Sequence, residues 1–479
     1  MNGQQALAVK LCFAHAVPAA TRLHAGPAAR WASNALLEGS RVGARPSQKL
    51  ARTPDGHLIL PALPPHSCIR YLLELKALER RPHTTQTWLL PIGAWLWRPD
   101  RALLNRWGPR GTLSVHLPAD LHLSVPFPAT APHRYTLPAS TFMYSGRSLL
   151  GRYAHARFTA HNCLVDLAFT PNIPEPSQQA LIQHIREAMA AVSTVLGHFP
   201  APKLQILVNG DRAQANQAIG FGQLTRGGGA GVSLWVKPTL DASELRSAWT
   251  CVHEFAHLLL PFVRREDAWL SEGIATYYQE VLRARTGMIT PIQALLRLHD
   301  GAIRLASADA PLAELSRQMS RQGAYRQVYW GGASFALRLD AMLLRKSAGK
   351  LGLDTLIRGI ANRMDYQAPP QSGRDLLGMM DKLLGNHRAT KLANAHIHAT
   401  PPASGRATLD ALRALGIGRQ TGTRTPRRQQ SDPDWASRSH LPRSSEGPAV
   451  GEATRLPPDQ ALWQRLIAGP KNTNQSEEP

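Results

Sequence analysis

The sequence predicts an α+β multidomain chain: a β-sandwich-like N-terminal domain, then a largely helical domain, then a tail expected to be mostly disordered. Three observations predict this. Residues 56–170 break into short runs of alternating apolar and polar residues separated by proline-containing turns, the mark of antiparallel strands. Residues 176–398 change to an α/β and then a mostly α pattern, with apolar residues three and four apart. From 399 to 479, Pro, Ser, Arg, Gln and Thr dominate and apolar residues are thin, too few to offset the entropy of ordering the chain.

Taken in order, residues 1–55 are rich in Ala, Arg, Gly and Ser and read as a leader or disordered arm. Within them, 7–17 is mildly apolar and precedes small residues. Lys10 and His15 interrupt it and no basic cluster leads it, which disfavours a secretory signal. A cytoplasmic location is slightly favoured, and an exported one stays open. Strand-like runs follow at 68–75, 112–117 and 121–125, with a late hairpin, 156–160 and 163–167, across His161-Asn162. Trp88, Trp95, Trp97 and Trp107 read as core. Residues 171–176 read as a linker. Beyond it come a helix over 178–196, strands at 203–208 and 232–236, and a helix running from an Asp241 or Ser243 cap through His257 to about 260, where Pro261 stops it. Further helices are predicted at 270–285, 291–306 and 332–346. In the tail, 459–467 is one amphipathic island, too short to hold a helix unless it docks.

With 479 residues, the chain needs more than one core. Its formal net charge is +22 and its pI about 10.6. The arginines are spread along the chain with no basic run interleaved with aromatics, so nucleic-acid binding is not expected. No stretch approaches a membrane span. The four cysteines, Cys12, Cys68, Cys163 and Cys251, have no metal-ligand spacing and form no disulfide framework. Cys68 and Cys163 both fall in strand-like segments, which leaves a bridge between them open. Nothing in the sequence sets the oligomeric state.

The chemistry concentrates in His253-Glu254-Phe255-Ala256-His257. Residues four apart on a helix share a face, separated by ~6 Å of rise. Two imidazoles so placed reach one Zn²⁺, and Glu254 sits beside them where a general base is needed. Glu272 follows fifteen positions after His257, at the start of the next helix, where it can supply a third ligand. Two His and one Glu leave a fourth position for water, the mark of a catalytic rather than a closed structural site. The bland alternative makes His253 and His257 core residues and Glu272 a favourable charge at a helix start. It would leave three ionisable groups buried without a partner, which is costly.

His253-Glu254-Phe255-Ala256-His257 with Trp269-Leu270-Ser271-Glu272-Gly273 and Tyr329-Trp330-Gly331-Gly332 resembles the gluzincin metallopeptidases, in particular the glycyl aminopeptidase and aminopeptidase N families. The likeness covers about residues 65–385, and only these three motifs are specific. It implies a β-rich domain before a thermolysin-like zinc peptidase domain over 176–398, one Zn²⁺ per chain, and a peptide or protein substrate. It implies that Tyr329 donates a hydrogen bond to the tetrahedral oxyanion. The strand at 230–236 would lie along the cleft and pair with an extended substrate, with Gly228, Gly229, Ala230 and Gly231 allowing close approach. Tyr325, with Arg326, Tyr277 and Tyr278, would line the pocket. Three departures stand out: the His257–Glu272 interval is short for those families, Gly331 replaces a lysine, and 227–236 lacks the Glu that binds a free amino terminus. Aminopeptidase specificity is therefore open, and a catalytically silent peptide-binding protein on the same scaffold is the alternative.

Overall fold

The computed structural model describes residues 6–24, 32–38, 48–55, 57–75, 87–107, 111–210, 217–364, 368–415 and 461–469. The N-terminal part is a set of small antiparallel sheets. Residues 1–55, expected as an arm, contribute to them: Ala6–Cys12 and Ala32–Glu38 flank Cys68–Glu74 in one sheet, and Thr21–His24 is central in another. The signal is present in the sequence as the alternation of Leu7, Val9 and Leu11, whose side chains are half-buried while their neighbours are exposed. The register pairs Cys12 directly with Cys68, and the two form a disulfide. Cys163 and Cys251 are free and buried, so the bridge left open between Cys68 and Cys163 does not form. Trp88, Trp95 and Trp97 are buried core and Trp107 is half-buried. Trp97 stacks on Tyr71 at 3.8 Å, and the Tyr71 hydroxyl donates to the Trp95 carbonyl.

A five-stranded sheet carries the rest of the molecule. Its strands are β1 (Ala154–Ala160), β2 (Cys163–Phe169), β3 (Lys203–Gly210), β4 (Ile219–Thr225) and β5 (Ala230–Val236), in the order β1-β2-β3-β5-β4. β2, β3 and β5 run parallel; β1 and β4 are antiparallel edges. The β1–β2 hairpin turns through His161 and Asn162 at φ 49° and 63°, the two left-handed residues of a tight primed turn. This hairpin belongs to the same sheet as β3–β5, so the sheet runs across the boundary expected near residue 170. β4 is absent from the sequence reading, because Ile-Gly-Phe-Gly-Gln-Leu-Thr carries two glycines and little periodicity.

One face of this sheet is covered by α1 (Glu175–Leu196), whose Leu181, Ile185, Ala188, Val192 and Val195 recur at helical spacing, and which ends at Gly197 with φ 83°. The other face meets the N-terminal part through Leu149, Ala168 and Leu207. The helix expected from 241 to 260 is divided. Ala242–Ser247 carries an Asp241 capping box, Ala248 is extended, and α2 (Thr250–Ala256) begins anew before a 3₁₀ turn, His257–Leu259. Next come α3 (Ala268–Arg285), Pro291–Ala306, Leu312–Gln322 and α4 (Tyr325–Lys346).

Most of 399–479 lies outside the described residues. Two parts depart from the expected disorder. Pro401–Ala414 is helical and packs on Pro291–Ala306. The island becomes α5 (Ala461–Ala468), docked against α3 and α4 with Trp463 fully buried. Arg285 on α3 donates to the Ile467 carbonyl at 2.7 Å, and Arg465 donates to the Ala348 carbonyl at 2.7 Å. Among the described residues, no helix is long and apolar enough to cross a membrane.

Candidate active site

α2 and α3 bring the predicted ligands together. His253 and His257 stand one turn apart with ring centroids 4.9 Å from each other. Glu272, the fifth residue of α3, aims one oxygen between them. Its Oε2 is 3.2 Å from His253 Nε2 and 3.3 Å from His257 Nε2. These three ligand atoms lie within 4.8 Å of one another. Two imidazoles and one carboxylate are a donor set suited to Zn²⁺. The second-sphere contacts fit as well. His253 Nδ1 donates to Gln279 Oε1 at 3.1 Å, which leaves Nε2 facing the triad. The Gln279 amide is itself fixed, since its Nε2 donates to Glu280 Oε1 at 2.7 Å. The residues present therefore fit a zinc ion.

The electrostatics agree. Burial alone would raise the Glu272 pKa, but the facing imidazoles, His257 first, hold the carboxyl well below the usual range. Burial works against a charged His257, yet the Glu272 carboxylate outweighs it and raises the pKa. Glu254 is 9% exposed, and burial raises its pKa against the pull of both imidazoles.

Glu254 is held by an element the sequence reading misses. The Leu224 N–H of β4 donates to Glu254 Oε2 at 2.7 Å. Gly222 lies against the same side chain. A Cβ there would come within 2.8 Å of Glu254 Cγ and 2.5 Å of Thr250 Cγ2, so only glycine lets the helix approach the edge strand this closely. Arg226 then donates to the carbonyls of His257 and Leu260, fixing the end of the turn that carries His257.

Tyr329 meets the site from α4. Its ring lies nearly parallel to that of His253, with centroids 5.7 Å apart. Burial first, then the Glu272 and Glu254 carboxylates, push its pKa well above the usual phenol range. Tyr325, 8% exposed, lies one turn before it. α3 and α4 touch through glycine. A Cβ on Gly332 would sit 1.8 Å from the Trp269 carbonyl oxygen and 2.6 Å from Gly273 Cα. The glycines of the second and third motifs thus face each other and set the distance between Glu272 and Tyr329.

Several expected substrate residues are elsewhere. β5 is paired on both sides, by β3 and β4, so it offers no free edge; the edge beside Glu254 is β4. Gly228 and Gly229 face the N-terminal part, where Cβ atoms would strike Phe127 and the Pro126 carbonyl. Gly231 lies against Gln205 and Thr225, and Ala230 packs on the core. Tyr277 and Tyr278 are fully buried, donating to Asp340 and Asp354. A cavity of about 590 Å³ lined by His122, Tyr153, His155 and Lys203 shares no residue with the triad.

No protein-family model matches the chain, and no curated protein sequence is similar to it. Its structure is similar to an aminopeptidase N family protein from Idiomarina loihiensis, with TM-score 0.64 and 13% identity, over 83% of this chain and 74% of that one. An M1 zinc metallopeptidase from Deinococcus radiodurans matches at TM-score 0.46 and 14% identity, over 82% and 89% of the two chains, too distant to add to the argument. The fold is thus that of the aminopeptidase N-like gluzincins: a β-rich N-terminal part followed by a largely helical domain.

Proposed function

We propose that this chain is a zinc-dependent peptide hydrolase. The observation that carries the proposal is the meeting of His253 Nε2, His257 Nε2 and Glu272 Oε2 at one point, with Glu254 beside them and tied to the free edge strand. When bound, the zinc ion supplies Lewis-acid polarisation of the scissile carbonyl and eases deprotonation of water. Every other part belongs to the protein. His253 and His257 are oriented by Gln279 and by Arg226, the latter through the backbone. Leu224 occupies one oxygen of Glu254, leaving Oε1 to take a proton from the attacking water and pass it to the leaving amine. The raised pKa of Glu254 suits a group that must both accept and release a proton. Tyr329, kept protonated by its surroundings, donates to the developing oxyanion. The substrate is read as an added strand on β4, bonding through the edge that no other strand pairs with among the described residues.

Whether the enzyme removes amino-terminal residues is a separate question. β4 contains no acidic side chain to hold a free amine, which favours cleavage away from the amino terminus. The experiment is zinc analysis with digestion of a mixed peptide library, on wild type and Glu254→Gln. We expect about one zinc in both proteins and cleavage by wild type alone. A zinc-loaded wild type that cuts no peptide would overturn the proposal and leave a binding protein.

A further inference from the structure

We infer that Arg147 reads a carboxylate on the substrate, so that the site selects peptides with an acidic residue beside the scissile bond. The inference rests on the hydrolase reading above.

β4 presents two faces. Gly222 faces α2 and Glu254. Side chains alternate along a strand, so Phe221 and Gln223 face the opposite way, towards the N-terminal part. There Phe221 packs on Trp235 with ring centroids 4.8 Å apart. Arg147, first residue of the strand Arg147–Gly151, lies over the same Trp235 ring at 5.2 Å, and its Nη2 donates to Gln223 Oε1 at 3.3 Å. The backbone just before it is locked to the catalytic half. Gly227 donates to the Ser145 carbonyl, and a Cβ on Gly146 would meet the Gly227 carbonyl at 2.8 Å. The guanidinium is therefore held in place rather than free to swing into solvent.

Its partners are incomplete. A guanidinium offers five donors in a planar fork that matches a carboxylate. Arg147 has one neutral amide oxygen and an aromatic face, and it makes no ion pair with any described residue. It is only half exposed, so water cannot fully replace a counter-charge. A peptide adding to β4 supplies one. Residues opposite each other on paired strands have Cβ atoms about 5 Å apart. A substrate side chain facing the Gln223 side is one residue from a neighbour facing Glu254, so it flanks the bond being cut. An Asp or Glu at that place meets the open side of the fork. The chain's net charge of +22 acts in the same sense at longer range, drawing anionic peptides to the protein.

The test uses matched peptides that differ only by Asp against Asn, or Glu against Gln, at each position flanking the cleaved bond. The readout is the ratio of kcat/KM within each pair. Wild type should favour the acidic member by about tenfold or more at one position, as expected for a charge-assisted contact. Arg147→Met should bring that ratio near one, Arg147→Lys should keep part of it, and Arg147→Glu should favour Lys at the same place. The same ratios read as Kd on Glu254→Gln report on Arg147 without turnover. A wild type that treats both members alike, or an Arg147→Met protein that keeps the preference, overturns the inference while leaving the hydrolase intact. A zinc-loaded wild type that cuts nothing overturns the hydrolase, and the Kd ratios then decide the role of Arg147 alone.

Discussion

The contact between Gly273 on α3 and Gly332 on α4 gives the sharpest test of how the site is assembled. Gly332→Ala adds one methyl group. In the present backbone that carbon would lie 1.8 Å from the Trp269 carbonyl oxygen, where real Cβ contacts do not fall below 3.0 Å. The obstacle is backbone and cannot rotate away, so the two helices must part by roughly 1.2 Å, the difference between those distances. Overpacking of this kind costs about 1–3 kcal/mol. Alanine in a helix returns up to about 1 kcal/mol relative to glycine. The net effect runs from near zero to a loss of about 3 kcal/mol. Activity should fall further than stability. The helices that separate carry Glu272 and Tyr329, and a displacement of ~1 Å in a catalytic group costs on the order of 10²-fold in rate. The control is Gly378→Ala, in the helix Gly373–Leu384, where a Cβ meets nothing within 4 Å. It should be stabilising by about 0.5–1 kcal/mol and leave hydrolysis as it is. Urea unfolding, zinc competition against a chelator and peptide turnover, measured on both variants, make the comparison. A Gly332→Ala protein with wild-type unfolding, zinc affinity and turnover would refute the claim that this contact sets the geometry.

Three further outcomes are expected. Gln279→Met keeps the bulk but removes the acceptor for His253 Nδ1, and should weaken zinc binding about 10–100-fold in chelator competition with the unfolding midpoint little changed. His184 and His396 are held by burial at a pKa of about 4, below the ordinary 6.5. Between these pH values the unfolded chain binds more protons, so stability is full above about pH 6.5 and falls by up to about 3 kcal/mol per histidine as pH drops to about 4. Denaturant melts across that range should give this slope, and His396→Gln should flatten part of it. Reducing the Cys12–Cys68 bridge opens a loop of sequence separation 56 and should cost about 4 kcal/mol of N-terminal stability on the chain-entropy estimate, read as an earlier melting transition in reductant.

The meeting of His253, His257 and Glu272 was legible because its signal is local. His253 and His257 are set by helical periodicity, and Glu272 falls near the start of the next helix whatever the exact path between. The hairpin at His161-Asn162 was legible for the same reason, since two adjacent left-handed residues leave few alternatives. The edge strand was not. β4 is defined by what it pairs with and what it approaches, and Gly222 carries meaning only once Glu254 lies against it. The Gly228–Gly231 run drew attention by composition, yet its glycines answer to the packing of the N-terminal part. Gln279, seven residues past Glu272, could have been found by asking which side chain on the next helix faces a ligand ring. Arg147 could not, because its neighbours Gln223 and Trp235 are remote in sequence. The N-terminal strands were visible as the alternation of Leu7, Val9 and Leu11 but were masked by the small and charged residues between them.

The docking of α5 has a consequence for biosynthesis. Arg285 waits 182 positions for the Ile467 carbonyl it binds, and Trp463 fills a slot between helices made far earlier. Until residues 461–468 are synthesised, nothing else in the described structure supplies Trp463's cover for α3 and α4. Removing Trp463 alone would uncover the same apolar surface on α3 and α4.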